Sequence, residues 1–342
     1  MSADANVWDR IADGNLGVSA GERFVVLRDE GIDVQFCAAA NRRRAELVTA
    51  PSTGGHGREP HTEVWRGVFG SAAVARLEMA GVLDRLLAKT LDSDDKSMLD
   101  EWALQVAPLA PKAVLAVTHF STSHTAFRRL LNAAGARYAS MPLFQPFLLR
   151  KDGPLDLDPA LLAERTQRLA RRVEGAKRIR ITTPRGTDLL LFVEGRRFLP
   201  DDGVLTAPGS FGNLPAGEVY VAPLEDTAEG TMVLESESPG GDTRLTIREG
   251  RIVEITQGTE LIDLFREHPE YFRVAELGIG TNDKASRADN VLEAEKILGT
   301  VHVAFGDNSS FGGKQQIPYH VDHVLYQPTL DVDGQIIDLN AL

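Results

Sequence analysis

Near the end of the chain, Tyr319-His320-Val321-Asp322 sets an imidazole and a carboxylate two residues apart in a strand-like run. Alternate residues of a strand project from the same face, so His320 and Asp322 point at one spot. Eighteen residues before His320, His302 sits in a second strand-like run, Thr300-Val301-His302-Val303-Ala304-Phe305. The segment between, residues 306–314, is too polar and glycine-rich to be core. Two imidazoles and a carboxylate converging beside an irregular loop point to a metal site. Two upstream glutamates are suited to complete a ligand set. Glu276 interrupts the apolar residues of Val274-Ala275-Glu276-Leu277, and Glu218 stands at the entrance of a strand after Pro215-Ala216-Gly217. A carboxylate in such surroundings is costly to bury unless a cation accompanies it. Cys37 is the sole cysteine, so no internal disulfide forms and a metal would rest on nitrogen and oxygen ligands.

Other clusters have blander readings. Residues 306–314 superficially resemble a phosphate loop, but Asn308 stands where glycine is required and Gln315 where Ser or Thr would hold magnesium. Gly209-Ser210-Phe211-Gly212 lacks the spacing of a nucleophile elbow. Cys37, in an apolar run, reads as a small buried hydrophobe. His56 and His61 fall in a Gly/Pro-rich loop, and His119 and His124 flank a helix start. His323 alternates with Asp322 and faces away from it.

These residues need a scaffold, and the chain supplies two textures. Up to about residue 150, strand-like runs (24–27, 34–37, 113–117, 138–141) alternate with helical ones (71–90 and 127–134), as in an open α/β sheet. Thr122 or Ser123 is placed to cap the second helix, with Gly135 at its end. Asp158-Pro159 starts an amphipathic connecting helix stopped at Gly175. Beyond it come short strands with hairpin signals at 178–182, 189–193, 218–222, 232–235, 245–247 and 252–255, interrupted by a helix at 260–267. The expected fold is therefore an α/β N-terminal domain (1–150) followed by an α+β, strand-rich C-terminal metal-binding domain (151–342). With 342 residues, 43% hydrophobic and 25% charged, a sizeable core is within reach. The balance of 49 acidic against 37 basic residues, −12 in all, argues against duplex nucleic acid or an anionic membrane as partner. No signal-like N-terminus or membrane-length apolar run is present, so a cytoplasmic location is expected.

Across residues 118–334 the chain resembles the M29 metallo-aminopeptidases, the aminopeptidase T or leucyl aminopeptidase type. The shared blocks include Ser123-His124-Thr125, Ile181-Thr182-Thr183-Pro184, Gly186-Thr187-Asp188-Leu189, and the segments 211–219, 276–282, 290–293 and 298–313. The first hundred residues contribute little. That resemblance implies a homodimeric hydrolase acting on a small peptide or small-molecule substrate. It also implies two adjacent divalent ions (zinc, cobalt or manganese) held by Glu218, Glu276, His302, His320 and Asp322. A bridging water would be the nucleophile and Glu218 the proton relay.

One position departs from the peptidase pattern. Those enzymes carry a tyrosine shortly after the first histidine, where this chain has Ser309. A related branch, similar to 2,5-dihydroxypyridine dioxygenase, opens an aromatic ring with one Fe(II) held by two histidines and a carboxylate. It shares the H-x-D element matching His320 and Asp322 and the glycine pair near Gly312-Gly313. It has histidine where this chain has Glu276 and no counterpart of His302, which tilts the expectation toward the two-metal peptidase. A third reading is a binding protein that keeps the metal without turnover.

Overall fold

The computed structural model describes residues 5–32, 45–236, 241–256 and 259–342. The strand-like run 34–37 and Cys37 lie outside the described residues. Two compact units emerge, one of Met1–Ala160 with Gly203–Ala216, the other of Leu161–Asp202 with Gly217–Leu342.

The first unit is built on parallel strands β1 (Phe24–Asp29), β2 (Glu46–Ala50), β3 (Ala113–Val117) and β4 (Arg137–Met141). β3 and β4 are buried throughout; β3 is the continuous apolar run typical of a parallel sheet, while β4 also buries the polar Arg137 and Ser140. The chain next forms β5 (Arg178–Thr182), β6 (Asp188–Phe192) and β7 (Leu199–Asp201) in the second unit. It then returns for β8 (Phe211–Asn213), which completes the sheet order β2-β1-β3-β4-β8. Nothing in the composition of residues 203–216 signals that return. The helical run 71–90 divides into Ser71–Met79 and Val82–Leu87, because Gly81 adopts φ +66° between them. Helices Thr62–Phe69 and Ser93–Val106 add Trp65, Phe69 and Trp102 to an aromatic cluster that closes on Phe127. Thr125, rather than Thr122 or Ser123, caps the helix Ala126–Ala133 by accepting from the Arg128 N–H.

The second unit begins with the helix Pro159–Val173, most of which it contains, and holds two antiparallel sheets. Its further strands are β9 (Glu218–Val221), β10 (Glu229–Leu234), β11 (Thr243–Arg248), β12 (Arg251–Thr256), β13 (Val274–Gly280), β14 (Val301–Gly306), β15 (His320–Leu325), β16 (Thr329–Val332) and β17 (Gln335–Ile337). One sheet runs β12-β11-β10-β6-β5-β16-β17, the other β15-β14-β13-β9-β7. Ile179, Leu189, Met232, Leu245 and Leu330 of the first meet Val219, Leu277, Ile279, Val303 and Phe305 of the second in one apolar core. Period-two alternation then leaves the opposite face of the five-stranded sheet free for polar residues. Among the described residues, no helix is long and apolar enough to cross a membrane.

Candidate metal centre

The register of the five-stranded sheet decides which side chains meet. Ala304 pairs with Glu276 on one side and with Asp322 on the other, so the two carboxylates flank a residue with almost no side chain. Two residues from these, on the same face, stand Gly278, His302 and His320. Glu218 pairs with Gly280, and Asp201 pairs with Glu218, which extends the row across β9 and β7. A bulge between Val274 and Glu276 lets Val274 enter the apolar core while Glu276 turns to the polar face. The five residues singled out from sequence thus share one face.

Glycine makes the convergence possible. A Cβ at Gly278 would lie 2.0 Å from Cε1 and 2.1 Å from Nε2 of His302, because the imidazole lies across that position. From there His302 Nε2 reaches Glu218 Oε2 (3.3 Å), Glu276 Oε1 (3.5 Å) and Asp322 Oδ1 (3.8 Å). His320 Nε2 stands 3.5 Å from Glu276 Oε2 and 3.6 Å from Asp322 Oδ1. Two three-donor sets result, Glu218–Glu276–His302 and Glu276–His320–Asp322, joined at Glu276. The first is buried and the second more open, with the His320 side chain 33% exposed.

The donors suit a cation. His320 Nδ1 lies 2.8 Å from the Asp307 carbonyl, which fixes that nitrogen as a donor and makes Nε2 the nitrogen whose lone pair becomes available once the imidazolium gives up a proton. Glu218 Oε2 is buried with no hydrogen-bond partner. Metal-free, the charges respond to one another. Burial disfavours the His302 imidazolium, but the hydrogen bond to Glu276 and the charges of Glu218 and Asp322 outweigh it and raise the pKa to about 9. His320 rises to about 10 by the same competition, with Asp322 its chief partner. Burial pushes Asp322 up, yet His320 and His302 together carry it well below the usual carboxylate range.

Lys296 completes the cluster and was missed from sequence. Its side chain is 1% exposed, with Nζ on Glu218 Oε1, 3.0 Å from Glu295 Oε1 and 3.8 Å from Asp201 Oδ2. Burial alone would lower its pKa, but these carboxylates raise it well above the ordinary value. The ammonium offsets part of the burial cost of Asp201 and Glu295, whose pKa values still rise to about 7 and about 8. In Glu293-Ala294-Glu295-Lys296 the pattern looks like a solvated helix face, and only the apolar Ile297-Leu298 after it hints otherwise.

Other expected residues do different work. Tyr319 stacks on Tyr271 at 5.1 Å, on the far side of the sheet. His323 also faces away and packs against Phe305. The Ser309 hydroxyl donates to the Asp307 carboxylate at 3.0 Å, within its own turn. Asn308 is buried and bonds to Gln315 and Glu225, so it braces the loop. In the first unit, His56 accepts from the Ser121 N–H.

Comparison with known proteins bears on the chemistry. The model of the NicX family, 2,5-dihydroxypyridine 5,6-dioxygenase, matches residues 99–340. A curated relative, 2,5-dihydroxypyridine 5,6-dioxygenase from Pseudomonas putida, is 27% identical over 164 residues. That alignment covers 40% of this chain and 45% of the relative, so the chain spans less than half of the relative's length. The structure of 2,5-dihydroxypyridine dioxygenase from Pseudomonas putida KT2440 superposes with a TM-score of 0.68 at 18% identity, covering 98% of this chain and 95% of that one. AmpT from Thermus thermophilus gives 0.58 at 16% identity, covering 97% and 96%. Both solved structures share the fold.

The expectation of a metallo-aminopeptidase, a hydrolase and protease, is thereby corrected. The family match and the curated relative are both dioxygenases, and the likeness to AmpT extends to the fold alone. The physical reason is that carboxylates with imidazoles bind several divalent metals alike. Counting Glu276 and His302 as two-metal ligands therefore could not decide the reaction.

Three outcomes follow from this geometry. Gly278→Ala drives a methyl group into the His302 ring and should lower Mn(II) affinity at least about tenfold by calorimetry, with the fold retained. Lys296→Met strands buried carboxylates and should cost about 3–5 kcal/mol in denaturant unfolding. Finally, His302 and His320 are protonated at pH 7 in the metal-free protein. Their raised pKa values stabilise that form fully below about 6.5, the ordinary histidine value, and the benefit is lost as pH rises through about 9 to 10. Metal uptake at pH 7 should accordingly release protons, read as a buffer-dependent binding enthalpy.

Proposed function

This chain belongs to the 2,5-dihydroxypyridine 5,6-dioxygenase family, and on that premise we propose that it is a ferrous-iron-dependent dioxygenase that opens a dihydroxylated nitrogen-containing aromatic ring. The family match over residues 99–340 carries the reading, since that span includes Glu218, Glu276, His302, His320 and Asp322. The donors are compatible with it: Glu276–His320–Asp322 offers one imidazole and two carboxylates, a set that accepts iron among several divalent metals.

In this reading His320, Asp322 and Glu276 hold the iron, with His302 offering a second imidazole from β14. Bound Fe(II) would supply the one-electron chemistry that lets oxygen react with a closed-shell ring. The rest is the work of the chain's own residues. The Asp307 carbonyl keeps His320 in the tautomer that presents Nε2. Lys296 pins one oxygen of Glu218 and leaves Oε2 buried without a hydrogen bond, 3.3 Å from His302 Nε2. In this reading that oxygen would accept the proton of a ring hydroxyl, which would enrich the ring in electrons before the C5–C6 bond breaks. Both oxygen atoms enter the product, so the reaction requires no external reductant. Burial of Glu218, Glu276 and His302 keeps bulk water from these groups.

The test is oxygen uptake by anaerobically iron-loaded protein given 2,5-dihydroxypyridine. One oxygen consumed per ring, with loss of the aromatic absorbance, is the expected outcome. His320→Ala and Asp322→Ala should each lower that rate by more than about a hundredfold. Absence of uptake across a panel of hydroxylated pyridines, with iron demonstrably bound, would sink the reading.

A further inference from the structure

Among the described residues, the donor face carries two aromatic side chains that the apolar core of its unit does not use, Phe311 and Tyr220. Phe311 ends the short turn Ser309–Phe311, half-buried and outside the core cluster of its unit. Its ring lies 6.1 Å from the His320 ring at 90° and 5.6 Å from Tyr220 at 73°. Tyr220 pairs with Gly278 in the register, which puts it on the donor face beside His302. Phe311 and Tyr220 therefore form an apolar wall against the more open three-donor set.

A phenylalanine in a loose loop would mean little, but this loop is braced. Arg196 bonds both the Gly312 carbonyl and Glu225, and Glu225 accepts the Lys314 N–H at 2.7 Å. Asn308 accepts the Gln315 N–H at 2.8 Å and lies so close to Gly313 that a Cβ there would come within 1.9 Å of its Cγ. Gln315 in turn donates to the carbonyls of Val274 and Gly306. Phe311 is thus held beside the donors by polar bonds to the sheet, rather than drawn there by apolar packing.

We infer that Phe311, backed by Tyr220, is the specificity-determining platform against which the flat ring of the substrate packs. The inference rests on the ring-opening reading and names the element that selects an aromatic substrate. Aromatic rings attract one another in offset-stacked or edge-to-face pairs, a preference that aliphatic substrates cannot satisfy. The platform works on binding, so its loss should appear in KM and leave the metal in place.

The experiment compares wild type, Phe311→Ala and Phe311→Trp, all iron-loaded, with 2,5-dihydroxypyridine as substrate. Mn(II) affinity is measured separately by calorimetry. Phe311→Ala should raise KM about tenfold with kcat little changed and Mn(II) affinity unaltered, and Phe311→Trp should restore KM. An unmoved KM in Phe311→Ala overturns the platform while the ring-opening reading stands. A fall in Mn(II) affinity alongside KM overturns it too, since Phe311 would then be supporting His320. Wild type that binds iron but does not turn over the substrate overturns the reading and the platform together.

Discussion

Negative charge crowded onto one face of a sheet is the constraint around which the second unit is arranged. Glu218, Glu276 and Asp322 share that face, and Asp201 and Glu295 stand close by. Carboxylates so placed repel one another and lose hydration, and only nearby positive charge makes the arrangement tolerable. Lys296 supplies one cation from within the chain. In the metal-free protein the two imidazoles take up protons and supply the rest. A divalent ion would replace those protons, so one set of residues would serve both the stability of the unit and the binding of metal.

The fold serves that constraint through small residues. Ala304 and Gly278 occupy the centre of the donor face, where any larger side chain would displace the His302 ring or separate Glu276 from Asp322. Behind them Leu277, Ile279, Val303 and Phe305 lock the strands to the core, so the register is over-determined by apolar burial. The polar face inherits its precision from the apolar one.

Much of this was legible because it depends on period two. The alternation of His320 with Asp322, the placement of His302 on a strand, and the outward turn of His323 all follow from counting along a strand. Strands 178–182 and 218–222 were located within a residue. What escaped depends on tertiary contact. Lys296 sits in a charge pattern that fits a surface helix, and only neighbours 78 and 95 residues away in sequence, Glu218 and Asp201, make it a buried counter-ion. The bulge before Glu276, the cap at Thr125 and the break at Gly81 are each local choices that more than one sequence reading allowed. The enzyme class escaped for a different reason. A donor set defines which cations fit, but the reaction depends also on the oxidation chemistry of the metal and the shape of the substrate.

Anomalous diffraction at the iron edge, on crystals loaded with ferrous iron without oxygen, bears most directly on the claim that this sheet face is the metal centre. One strong peak within bonding distance of His320 Nε2, Asp322 and Glu276 is the predicted result. A peak elsewhere in the molecule, or none at that cluster in crystals that contain iron, would contradict it.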